Sequence, residues 1–85
     1  MGVFHDRRFE DELSALRVDF DRLDDALRYV EQRVSEDPAS GIQSPIPGIF
    51  IAPVRLPTEN GLVQMSIFYT YDGSDVTFRM LRRAP

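Results

Sequence analysis

The sequence predicts an α+β fold: two N-terminal helices packed on a small antiparallel sheet of three to four strands. Three observations predict it. Between Arg7 and Glu36 the apolar residues recur three or four positions apart, the spacing of one helical face. Between Gly48 and Arg83 they gather instead into runs rich in β-branched and aromatic residues. Those runs meet at Asn60-Gly61 and Asp72-Gly73, dipeptides that strongly signal a hairpin turn.

Gly2-Val3-Phe4-His5 is a short apolar start that fits an edge strand. Asp6 then supplies an N-cap for a helix near 7–16, with Phe9, Leu13 and Leu16 on its buried face. A second helix near 20–36 takes Asp19 or Asp21 as its cap and buries Leu23, Ala26, Leu27, Val30 and Val34. Asp24 and Arg28 stand four apart with the acid first, an arrangement worth about 0.2–0.5 kcal/mol. Pro38 stops the helix near Glu36, because a residue before proline disfavours the α region. Residues 39–47 are rich in Ser, Gly and Pro and read as a loop within one domain.

Strands are expected near 48–56, 62–71 and 76–83. A tight turn at Asp72-Gly73 would set Tyr71 against Val76, Tyr69 against Phe78 and Ile67 against Met80 on the core side. On the other side Thr70 would face Thr77, Phe68 face Arg79, Ser66 face Leu81 and Gln64 face Arg83. Pro53 lacks an N–H, which places its strand at an edge or puts a bulge there. The side on which Arg55 emerges stays open for that reason. Leu27, Val30, Ile51, Ile67, Tyr69, Phe78 and Met80 are the expected core.

With 85 residues the chain is read as one domain, 1–85, able to bury roughly 60–65% of its unfolded surface. There is no cysteine, so no disulfide or thiolate metal site contributes. No apolar run reaches the length of a membrane span, and the expectation is a soluble cytoplasmic protein with no membrane partner. The net charge is −4, unevenly distributed. Residues 1–40 carry eleven acids against six arginines, whereas residues 41–85 carry three acids against four arginines. An acidic chain is a poor general binder of nucleic acid, so any such site must be local to the arginine-bearing strands.

Chemistry-bearing groups are few. His5 is the only histidine and reads as an exposed residue beside the first helix. Asp21, Asp24 and Asp25 read as a solvated helix face rather than a cation site, and no metal or cofactor is expected. Arg55, Arg79 and Arg83 are the candidate catalytic residues. Arginine holds phosphate with a planar fork of donors, which suits transition-state charge better than proton transfer. Phe68, Gln64 and Arg82 are candidates for contact with nucleic acid or a partner, Phe68 as a stacking surface beside Arg79. Composition alone favours a plainer reading, in which Arg79, Arg82 and Arg83 pair with the acidic helices or stand in solvent.

The order of elements, with Asp37-Pro38-Ala39-Ser40-Gly41, Ile46-Pro47-Gly48-Ile49, Ile67-Phe68-Tyr69-Thr70-Tyr71-Asp72-Gly73 and Val76-Thr77-Phe78-Arg79-Met80-Leu81-Arg82, resembles the RelE/ParE superfamily. These are bacterial toxins of type II toxin–antitoxin systems. The resemblance spans nearly the whole chain and lies in patterns of hydrophobicity and turns. It implies two helices on a curved antiparallel sheet and a cognate antitoxin that wraps the toxin. It implies one of two targets: mRNA cut within the ribosome, or DNA gyrase inhibited without cleavage. Arg79 matches an arginine of the nuclease branch, Arg55 matches more weakly, and Arg82 and Arg83 resemble the basic final segment. Nuclease members often carry a tyrosine or histidine near the C-terminus, where this sequence reads Arg83-Ala84-Pro85. A non-catalytic protein-interaction module of the same superfamily is the alternative.

Overall fold

The structure is a computed structural model that describes residues 2–83. Its elements in chain order are β1 (Val3–His5), α1 (Arg7–Arg17), α2 (Leu23–Glu36), β2 (Ile42–Gln43), β3 (Ile49–Thr58), β4 (Gly61–Tyr71) and β5 (Val76–Arg83). The α+β class and the two-helix, three-long-strand plan stand. The sheet is larger than expected and mixed, with five strands in the order β1-β5-β4-β3-β2. Two short strands account for the difference. β1 pairs with β5 in parallel, matching Val3 with Val76 and His5 with Phe78. β2 arises inside the expected loop and pairs antiparallel with β3, matching Ile42 with Ile51.

α1 starts where Asp6 accepts a hydrogen bond from the Phe9 N–H at 2.9 Å. α2 starts later than expected. Arg22 occupies its cap position without a side-chain bond, and neither Asp19 nor Asp21 caps it. The chain between the helices is a turn in which the Asp19 and Phe20 N–H groups both bond the Leu16 carbonyl, and this delays the second helix. α2 ends at Glu36, ahead of Pro38.

Both helices lie on one face of the sheet. Phe9 and Leu13 of α1 and Leu23, Leu27, Val30 and Val34 of α2 are buried against Ala52, Val54, Leu56, Met65, Ile67, Tyr69, Val76, Phe78 and Leu81. The β4–β5 register follows expectation from Tyr71/Val76 to Tyr69/Phe78 and then shifts. Arg79 is the extra residue of a β-bulge, so Phe68 pairs with Met80, Ile67 with Leu81, Ser66 with Arg82 and Met65 with Arg83. The bulge corrects two core assignments. Leu81 is buried and Met80 turns to the other face, because one inserted residue reverses the alternation beyond it. Ile51, also expected in the core, pairs with Phe68 and lies half-buried on that other face. Pro53 introduces no bulge, since β3 and β4 stay in register from Ile49/Thr70 to Thr58/Gly61.

Each edge of the sheet is closed by a different device. β1 covers β5 only as far as Phe78, and beyond it the Leu81 N–H donates to the Glu12 carboxylate of α1 at 3.1 Å. β2 covers β3 only at Phe50 and Ile51. Past that point Pro53, Arg55 and Pro57 share the outward parity of Ile51, and the two prolines carry no N–H to offer.

Candidate partner-binding face of the sheet

Strand alternation places Ile42, Ile51, Phe68 and Met80 side by side on the face away from the helices. Their pairings run unbroken across β2, β3, β4 and β5. A second row, Ile49, Thr70, Thr77 and Phe4, crosses β3, β4, β5 and β1. Among the described residues no element covers these rows: Ile42 is 60% and Phe4 54% exposed. Pro53, Ser66 and Arg82 form the next row, followed by Arg55 and Gln64. By the same parity this face carries Arg55, Arg79 and Arg82 and no Asp or Glu. The acids nearest to it are Asp6 and Glu12 at its β1–β5 edge, which reach Arg79 and Arg82. An apolar ladder with an arginine rim resembles a protein interface, in which arginine and aromatic residues are enriched and acids depleted.

The six residues singled out in the sequence do not form one cluster. Arg79 stands on the bulge, its Nε donating to the Thr70 hydroxyl at 3.1 Å and its Nη1 lying 3.7 Å from the Asp6 carboxylate. It is not opposite Phe68, whose cross-strand neighbours are Ile51 and Met80. Arg82 lies on the same face and leans over the edge toward Glu12 at 3.8 Å. Arg83 points the other way, with its guanidinium carbon 5.6 Å from the centre of the Phe20 ring on the helical side. Arg79 and Arg83, expected on one face, are therefore separated by the bulge. Arg55 and Gln64 pair with each other near the far end of the hairpin, both exposed. Exposed pairs such as Arg79–Asp6 are worth about 0–1 kcal/mol, so they orient these arginines more than they stabilise the fold.

Histidine 5 corrects the expectation of an exposed side chain. It stacks on Phe78 with ring centroids 5.4 Å apart and sits 4.8 Å from the Phe9 ring. Its Nδ1 lies 2.6 Å from Glu10 and its Nε2 2.6 Å from Glu31. The arrangement ties β1 to both helices and lies on the side opposite the apolar ladder. No group of three or more His, Asp or Glu suited to a metal occurs among the described residues.

Among the described residues two ionisable groups are shifted, both for structural reasons. Burial pushes the Tyr69 phenol above its ordinary value, against a smaller opposing effect of the Gly41 N–H. Its hydroxyl donates to the Pro38 carbonyl at 2.8 Å and accepts from Gly41 at 3.1 Å, which fastens the connector to the sheet. Asp72 is held below the usual carboxylate range by backbone N–H bonds, chiefly from Asp75 and then from Ser74. These two groups serve the fold, and nothing in the sequence patterning marked either.

Among the described residues no helix is long and apolar enough to cross a membrane. Compared with known proteins, the chain matches no protein family, no curated protein and no solved structure.

Proposed function

We propose that this chain is a protein-interaction module whose working surface is the helix-free face of its sheet. The biological setting we assign is the toxin of a toxin–antitoxin pair that acts by contact, with gyrase as the target class, rather than by cutting mRNA. The observation that carries the interaction reading is the ladder Ile42–Ile51–Phe68–Met80, left uncovered and rimmed by Arg55, Arg79 and Arg82. Arg79, the residue a nuclease would need free for phosphate, is engaged by Thr70 and Asp6, which supports contact over cleavage. The RelE/ParE-like order of elements supports the toxin setting and rests on resemblance alone.

Induced expression in a bacterial host tests this reading. Arrested growth with intact message by primer extension, relieved by the Ile51→Glu/Phe68→Glu variant and not by Arg79→Ala, is the expected result. Inhibition of supercoiling by purified gyrase should accompany it. Normal growth with a folded chain would remove the toxin setting. Cleaved message that disappears in Arg79→Ala would replace the contact mechanism with the nuclease.

A further inference from the structure

A second surface adjoins that face along the β3 edge and shares Pro53 and Arg55 with it. α2 and the bare edge of β3 enclose a cleft of about 570 Å³, within the ordinary size of ligand sites. It continues at one end into a smaller hollow by Gly41 and Ile42, through the shared residues Val30, Arg33 and Pro53. At the other end it opens, through Arg22, Leu56 and Pro57, into a wider depression by Asn60. From the cap position of α2 onward, Arg22, Ala26, Tyr29 and Arg33 line the central cleft at helical spacing, and Arg55 faces it from β3. Tyr29 is 62% exposed, with the Arg33 guanidinium carbon 5.8 Å from its ring centre. Its walls are otherwise Val30, Val54 and Leu56 with the two prolines. None of Arg22, Arg33 and Arg55 makes an ion pair among the described residues, and Asp25 is the one carboxylate on the central cleft.

We infer that this cleft takes an amphipathic, acidic helix from a partner protein. The charge supports an acid: three unpaired guanidiniums face one carboxylate in a chain whose net charge is −4. The backbone supports a helix. Pro53 and Pro57 leave Arg55 as the one outward N–H donor among these three positions, so an added strand would find little to pair with. A helix satisfies its own backbone and needs only side-chain contacts. From Ala52 to Thr58 the β3 edge runs about 23 Å, the length of about 15 helical residues. The wider end carries Asp19, Asp21 and Glu59, which a continuous polyphosphate would have to pass. A helix avoids them by carrying its glutamates away from that end, over Arg33 and Arg55, with leucines on the apolar walls.

The test uses the full chain and a synthetic helical peptide of that length, one face leucine and the flanks of its middle turns glutamate. Saturable binding by calorimetry is expected, weakening with added salt. It should fall by about tenfold or more in Arg33→Glu/Arg55→Glu, the change expected for loss of roughly one charged contact. The same peptide with lysine in place of glutamate should not bind. Tyr29→Ala should weaken binding, and it introduces no charge at this exposed site. Phe68→Glu, which does not line the cleft, should leave the affinity unchanged, so failure here and failure of the sheet-face reading are separable. Absence of saturable binding, equal binding of the lysine peptide, indifference to the arginine and tyrosine variants, or displacement of the glutamate peptide by a single-stranded RNA of similar length would each overturn the inference.

Discussion

At the scale of single residues, Tyr69 joins the sheet to the connector that follows α2. It is fully buried, stacks with Phe50 at 5.4 Å and holds both Pro38 and Gly41 through its hydroxyl. Tyr69→Phe keeps the ring and leaves a carbonyl and an N–H without their partner. A loss of about 1–3 kcal/mol is expected, measured by urea unfolding. Gly41 reaches this site because it lacks a side chain, since a Cβ there would collide with the Tyr69 hydroxyl. Gly41→Ala should therefore destabilise the fold by a similar amount through displacement of the same ring. The raised phenol also sets a pH dependence. The folded state favours the neutral form, so the contribution is intact below the ordinary tyrosine value of about 10 and is lost as pH climbs through the higher folded value. Unfolding at alkaline pH in wild type, with a smaller alkaline change in Tyr69→Phe, is the expected pair of curves.

The elements show which parts of the fold the sequence makes legible. Helical spacing, the Asp6 cap, Pro38 and the two glycine turns define α1, the end of α2 and the three long strands to within about two residues, whereas the start of α2 is not legible. Gly61 and Gly73, with φ of 118° and 90°, sit in turns where the backbone enters a region that other residues avoid. The bulge left no such mark. Arg79-Met80-Leu81 alternates equally well in either register, and the choice falls to whichever apolar side chain fills the core beside Ile67. That choice explains why Met80 and Leu81 exchanged faces and why Arg79 and Arg83 parted. The two short strands were hidden for a related reason: both depend on long-range pairing more than on their own composition. The register has a sharp test. Leu81→Ala should cost about 2–5 kcal/mol, as for a buried leucine. Met80→Ala should cost clearly less, because its side chain is already partly in solvent, and thermal melts of the two variants separate the alternatives.

For the molecule as a whole, the helical side carries both signs with acids in excess, whereas Arg55, Arg79 and Arg82 rim the bare face. The arginines were legible as a group in the sequence; the apolar ladder was not, because Ile42 entered it through an unforeseen strand and Met80 through the bulge. Substitutions on this face should spare the fold. Phe68→Glu is expected to shift the melting temperature little while removing whatever activity the face supports, and melts paired with growth assays read both.

The closed edges carry one more consequence, for behaviour at high concentration. A sheet with a bare apolar face is a ready template for fibre growth if a flank also offers a row of free N–H groups. Here that row is interrupted by Pro53 and Pro57 on one side and occupied by Glu12 on the other. The prolines act as gatekeepers against self-templating. Replacing both with valine restores two donors beside Arg55 without altering the folded charge. Seeded thioflavin fluorescence should then rise with time in Pro53→Val/Pro57→Val and stay flat in wild type at the same concentration.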